Sequence, residues 1–287
     1  MTKFKTSLQT MVIHEAIDTL GVYEAVRKVK EIGYNSIEIS GHFECNQEMV
    51  NELCRARDDF GVEICALSVA YSDPFQGFNP FRRNFVPNRL PEDFDKVVAF
   101  CKQLGCRYVR YAGLPASISS FEDLKKYFEY TEEICLRLEK EGIKLCMHNH
   151  DTEFIKYNGK TAFAWSVELA PHLNYEFDVL GVAHAGTNLL EDMQLIKGRM
   201  PLIHFEDIKV IPKPATAPGV RPHLDEYIVG CPLGEGNVPV KSFCDTAMEC
   251  GNEYFIIEVS NFFGVDPYDG MKLAADNLRA AGYADTF

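Results

Sequence analysis

Apolar and polar positions along the chain follow two periods that take turns. Over Lys5–Ile13 the apolar residues cluster as in a strand, and over Gly21–Gly33 they return every three or four positions, as on one face of a helix closed by glycine. Tyr34–Ser40, Asn46–Phe60 and Val62–Val69 repeat the exchange as strand, helix and strand, with Gly61 stopping the helix. It resumes with a predicted helix over Glu92–Leu104, a strand over Cys106–Tyr111 and a long helix over Phe121–Glu141, for which Ser119 or Ser120 is the expected cap. Strands over Ile143–Met147, Leu173–Val179, Pro201–Asp207 and Tyr254–Val259 follow. They are interleaved with helices over Thr161–Leu169, Asn188–Lys197, Ser242–Cys250 and Tyr268–Ala281.

Two stretches break the rhythm. Asp73–Pro91 holds four prolines, four phenylalanines and three arginines. It reads as a long loop, either a cover packed by its own aromatics or a lid in which Phe75, Phe78, Phe81 or Phe85 meets a ligand. Residues 210–240 form a second, proline-rich interruption. The remaining pattern is eight strands, each followed by a helix, in one domain spanning residues 1–287. That repeat predicts an α/β fold of the (β/α)8 TIM-barrel type, whose usual length is about 250 residues. A doubly wound open sheet is the alternative, but no GlyxGlyxxGly follows the first strand.

Composition narrows the ligand rather than the fold. A formal charge of −13, with no cluster of Lys and Arg, argues against nucleic acid and for a small molecule. No window is long and apolar enough to predict a membrane span, and the N-terminus lacks the apolar core of a signal peptide. The 10 cysteines are scattered without a CxxC pair, which predicts free thiols and a cytoplasmic protein.

In a (β/α)8 barrel the C-terminal strand ends share one mouth, so chemistry is expected there. The fifth predicted strand runs out into Met-His-Asn-His-Asp-Thr-Glu, where His148 and His150 are two apart and Glu153 lies just beyond. The sixth ends in Asp178, the seventh in His204 with Glu206 and Asp207, and the eighth in Glu258. Each alone has a structural reading as a cap or a hydrogen-bonded core residue. Together they would bury unpaired charge at several kcal/mol each, a cost that a divalent cation removes. Asp178, His204 and Glu258 form the expected ligand set, with either His148 or Glu153 as the fourth. Mostly oxygen donors with an imidazole favour Mn2+, with Mg2+ or Co2+ next, over a thiolate-rich structural zinc site. Glu38 and His42, at the end of the second strand, and Asp207 are candidates for binding substrate hydroxyls, and His184 for orienting a ligand.

The motifs Met-His-Asn-His-Asp-Thr-Glu-Phe, Phe-Asp-Val-Leu-Gly-Val-Ala-His-Ala-Gly, Ile-His-Phe-Glu-Asp and Ile-Ile-Glu-Val resemble the xylose isomerase-like sugar phosphate isomerase/epimerase superfamily nearly end to end. The resemblance implies a metal-dependent barrel with Glu, Asp, His and Glu ligands from strands five to eight. Many members read Glu-Asn-His where this chain has His148, Asn149 and His150. The His-Asn-His pattern is similar to that of proteins acting on inososes or keto-sugars, and of the larger subunit of bacterial C-glycoside deglycosidases. On this resemblance Glu153 joins Asp178, His204 and Glu258 at the metal, leaving His150 as base and His148 as its partner. The implied reaction is proton abstraction beside a sugar carbonyl, giving isomerisation or epimerisation. The alternative is a lyase that dehydrates an inosose or cleaves a 3-oxo C-glycoside by β-elimination. A homo-oligomer, or a hetero-oligomer with a small second subunit, is the expected assembly. A metal-dependent DNA-repair nuclease shares the superfamily, but the charge disfavours it. A non-catalytic barrel would have no reason to gather these residues at one mouth.

Overall fold

The computed structural model describes residues 3–40, 46–72, 88–115, 117–211, 228–260 and 262–287. Eight parallel strands close into a barrel: β1 (Lys5–Gln9), β2 (Ser36–Ile39), β3 (Glu63–Ser68), β4 (Tyr108–Ala112), β5 (Lys144–His148), β6 (Asn174–Asp178), β7 (Leu202–Phe205) and β8 (Tyr254–Ile257). Each pairs with its sequence neighbour, and β8 returns to β1 through Leu8 against Ile257. The strands are buried on both faces because helices cover the outside and side chains fill the lumen; β2, β6 and β8 have no exposed residue.

The two faces of each strand have different tasks. Outward residues pack on the helices, as where Phe255 meets Phe4 at 4.8 Å, Phe205 at 5.0 Å and Phe243 at 6.2 Å between ring centroids. Inward, Cys65, Tyr108, Cys146, Leu202, Tyr254 and Ile256 form a separate buried cluster. Two residues further along, the same face carries Arg110, His148, His204 and Glu258. The lumen is therefore plugged by apolar and thiol side chains below and turns polar at the C-terminal end.

Helix ends follow the sequence closely. Asn46, Ser120 and Thr161 each accept a hydrogen bond from the backbone N–H three residues on, while Gly61, Gly105 and Gly251 close helices in the left-handed conformation. The strand expected over Lys5–Ile13 is cut at Gln9. There the Thr10 hydroxyl donates to Ser40 O at 2.8 Å and accepts from Ser40 N at 2.9 Å, and the chain turns into a 3-10 segment and a helix, His14–Leu20. Asp178 likewise ends β6 by capping an unexpected helix, Val179–Ala185, with its carboxylate on Gly181 N at 2.6 Å.

Of the stretch at 73–91, residues 73–87 lie outside the described residues, as does His42. Arg89–Leu90 pairs in parallel with Ala70–Tyr71. Of the second interruption, 212–227 lies outside them, and its flanks pair as an antiparallel hairpin, Asp207–Val210 with Ile228–Cys231. The nine described cysteines are all free thiols. Among the described residues no helix is long and apolar enough to cross a membrane.

Phe255 is fully buried at the centre of its aromatic group. Phe255→Ala is expected to cost about 3–5 kcal/mol. Urea unfolding should show a lowered midpoint at unchanged slope, and a loss below about 1 kcal/mol would contradict this packing.

Candidate active site

At the mouth of the barrel the polar lumen residues form one connected cluster around His204, which has no solvent exposure. Its Nε2 lies 2.6 Å from Glu38 Oε2 and 3.2 Å from Glu176 Oε2, and its Nδ1 lies 2.9 Å from Glu258 Oε2. Ionised carboxylates only accept, so both ring nitrogens must donate and the ring is an imidazolium. Burial alone would strip that charge; Glu176, Glu38 and Glu258 together outweigh it and raise the His204 pKa well above the ordinary value. For Glu258, burial pushes upward, but His204, supported by His148 and Arg110, brings the carboxyl down to about 2.

Arg110, on β4, is the second cation. Its Nε lies 3.1 Å from Glu38 Oε1 and 3.3 Å from Glu176 Oε2, and Nη2 donates to Ser40 Oγ at 2.9 Å. Ser68 adds a hydroxyl donor to Glu38 Oε1 at 3.2 Å. Burial opposes ionisation of Glu176, yet His204 and Arg110 lower its pKa.

His148 takes the opposite state to His204. Its Nδ1 sits 2.9 Å from Glu176 Oε2. Burial first, then the positive charge of Arg110 and His204, drives its pKa well below the usual value, so the ring is neutral. Its Nδ1 proton then points to Glu176 and Nε2 carries the lone pair. His150, two residues on, is exposed at the mouth with its ring 4.8 Å from that of His148. Asn149 faces sideways between them, accepting from Asp178 N at 3.0 Å and donating to Asp178 O at 3.2 Å, which ties the ends of β5 and β6 together.

Two more acids line the same end. Burial and then the neighbouring Glu258 raise the Glu206 pKa to about 7, and its carboxylate accepts from Ser260 N. Burial and Glu258 also raise Asp178 well above the usual range. Both are positioned by glycine. A Cβ at Gly230 would lie 1.8 Å from Glu206 Oε1, and one at Gly181 would lie 2.7 Å from the His150 backbone.

The residues singled out in the sequence divide into two groups. Glu38, His148, His204 and Glu258 meet in the cluster, with Asp178 at its edge and His150 above. Glu153 and Asp207 instead hold backbone. Glu153 is buried and accepts from Leu114 N, from His150 N at 2.6 Å and from Thr152 Oγ1 at 3.1 Å. Asp207 accepts from Ile208 N at 2.8 Å, Gly234 N at 2.9 Å, Gly236 N at 3.1 Å and Val238 N at 3.1 Å. His184 lies exposed in the last turn of its helix. Sequence reasoning missed Arg110 and Glu176. Each carried a readable signal: Arg110 is a charge inside an otherwise apolar strand, and Glu176, two residues before Asp178, shares its face.

One ligand atom each from His148, Glu176 and His204 lies within 4.8 Å of the others. Glu176 Oε1, fully buried, has no hydrogen-bond partner. An imidazole ligates only when neutral, so a divalent cation here would replace the His204 proton; with that exchange two imidazoles and a carboxylate with a spare lone pair fit it, and the set suits zinc as well as manganese.

The closed parallel barrel, with this acid and imidazole cluster at its C-terminal mouth, defines the class as a (β/α)8 barrel. The chain belongs to the xylose isomerase-like TIM barrel family, whose model matches residues 26–281. No curated protein matches it. A sugar phosphate isomerase/epimerase from Parabacteroides distasonis shares the fold with a TM-score of 0.73 at 18% identity, covering 98% of this chain and 96% of the other. The 3-keto-D-glucoside 4-epimerase YcjR from E. coli gives 0.66 at 14% identity, covering 97% and 100%. The IOLI protein with a bound zinc atom gives 0.67 at 15% identity, covering 99% of each chain.

Asp207→Ala would strand the N–H groups that converge on it. The expected loss is about 2–3 kcal/mol in chemical denaturation. A change under about 0.5 kcal/mol would show that water replaces the carboxylate at no cost.

Proposed function

We propose that this protein is a metal-dependent enzyme that abstracts a proton next to the carbonyl of a sugar or keto-sugar and returns it to give an epimer or isomer. The observation that carries this reading is the convergence of His148, Glu176 and His204, all buried, with one ligand atom each within 4.8 Å of the others and Glu176 Oε1 left without a hydrogen-bond partner. In this reading these three residues hold the divalent metal, His204 giving up its ring proton to do so, and Glu38 and Glu258, each within hydrogen-bond distance of His204, stand as the nearest further carboxylates. When bound, the metal supplies Lewis-acid polarisation of the substrate carbonyl.

His150 is the proposed base. It is an imidazole exposed at the mouth, and imidazole is the side chain suited to taking up and returning a proton near neutral pH. His148 is its partner, a neutral ring whose orientation Glu176 fixes through Nδ1. Glu38 and Arg110 bring charged hydrogen-bonding groups to the same mouth, and Arg110 orients both Glu38 and Glu176. Glu153 positions the base through the backbone, since its carboxylate holds His150 N. Where a leaving group stands β to the carbonyl, the same proton abstraction leads to elimination. The resemblance to family members acting on keto-sugars and the neighbouring 3-keto-D-glucoside 4-epimerase support a keto-sugar substrate.

The expected outcome of elemental analysis is about one divalent metal per chain, lost in a His204→Ala variant that still folds. Retention of the metal by that variant would remove His204 from the ligand set. Incubation with keto-sugars in deuterium oxide should give solvent exchange at the carbon beside the carbonyl. His150→Ala should lower that exchange by about 10²–10⁴-fold while keeping the metal. Full exchange in His150→Ala would reassign the base, and no exchange with any keto-sugar would defeat the proposed reaction.

A further inference from the structure

A cavity of about 630 Å³ opens beside the cluster, between the segment after β1 and the segment after β8. Glu258 forms part of its wall and, through the 2.9 Å contact with His204, joins it to the site described above. The other walls include Met11, Val12, Ile13, Ala16, Phe262 and Tyr268. These are apolar surfaces for the most part, and the volume falls within the range of about 300–1,000 Å³ typical of small-molecule sites. It exceeds what one sugar ring fills.

The walls are built rather than loosely apposed. The 3-10 turn Thr10–Ile13 is fixed by the paired Thr10–Ser40 hydrogen bonds and by His14 Nδ1 at 2.9 Å from Met11 O. Phe262 lies flush on the backbone of the helix Pro267–Leu278, where a Cβ at Gly270 would come within 2.3 Å of its ring. Tyr268 is anchored by its hydroxyl to Ala25 O at 3.3 Å. Charge in the cavity is unfavourable to an anion. Among the described lining residues Glu15, Glu258 and Asp266 stand against Lys28, whose ammonium sits 5.0 Å from the centroid of the Tyr268 ring, and the His14 imidazole. A phosphate would meet three carboxylates, whereas an uncharged flat group would meet aromatic and aliphatic carbon.

We infer that this cavity is a subsite for an uncharged, aromatic substituent carried by the sugar, so that the substrate is an aryl-bearing sugar rather than a free or phosphorylated one. The inference rests on the reading of the mouth as a sugar site, and the test separates the two. Binding of methyl β-D-glucopyranoside, phenyl β-D-glucopyranoside, glucose 6-phosphate and phenol to the full chain is measured by titration calorimetry or ligand-observed NMR.

The phenyl glycoside is expected to bind at least about tenfold more tightly than the methyl glycoside, equivalent to about 1.4 kcal/mol. Ala16→Trp, which fills the cavity, should erase that difference and leave the methyl glycoside unaffected. Thr19→Trp, on the exposed side of the same cavity, serves if the first variant does not fold. Equal affinity for the two glycosides, or tighter binding of glucose 6-phosphate than of the phenyl glycoside, overturns the inference. Phenol binding that is lost on filling the cavity, with neither glycoside bound, supports the aromatic subsite and defeats the sugar reading instead.

Discussion

The His204 imidazolium, held between Glu38, Glu176 and Glu258, is the interaction on which the mouth of this barrel depends. Burying three carboxylates in a strand-lined lumen costs several kcal/mol each unless cations and hydrogen-bond donors meet them. Two cations do so, His204 and Arg110, and both sit on barrel strands whose side-chain direction is set by the pleat. Removing either would leave carboxylates facing one another across the lumen. The cluster is thus tolerable only as a set: its carboxylates need positive charge at His204, supplied by the ring proton or by a divalent cation that displaces it.

Below the cluster, Cys65, Tyr108, Cys146, Leu202 and Ile256 exclude water from the lumen, which strengthens every electrostatic contact above them. Around it, three polar side chains that hydrogen-bond to backbone set the strand ends. Asn149 ties β5 to β6, Glu153 ties the turn after β5 to the segment after β4, and Asp207 gathers a glycine-rich turn onto the end of β7. The acids of the cluster and the acids that hold backbone look alike in composition. Their partners separate them: His204 and Arg110 for the first, peptide N–H groups for the second.

That distinction explains what could be read from the sequence. The alternation of strand and helix predicted the barrel because both periods are strong wherever a strand is buried on two faces and a helix on one. His148, His204 and Glu258 were legible as polar residues ending apolar runs. Glu153 and Asp207 satisfied the same rule, and nothing local distinguishes a carboxylate bonded to side chains from one bonded to backbone. Arg110 and Glu176 lie one step inside the strands, where a charged residue reads as a departure from pattern rather than as part of a site. The helices His14–Leu20 and Val179–Ala185 escaped notice because each is only seven residues long and follows its strand with no glycine or proline to mark the change, so that the apolar residues Val12, Ile13 and Val179 read on as strand.

The hairpin that follows β7 has a wider consequence. Asp207–Val210 and Ile228–Cys231 run side by side, so residues 211 and 228 leave the fold from neighbouring points, and Asp207 fixes the turn that leads back to the barrel. Chain inserted between two such points adds little closure entropy as it lengthens, because that cost grows only with the logarithm of length. The hairpin therefore acts as a fixed socket: the two points at which the chain leaves and returns are held side by side by the register of Asp207–Val210 against Ile228–Cys231, independently of how much chain joins them.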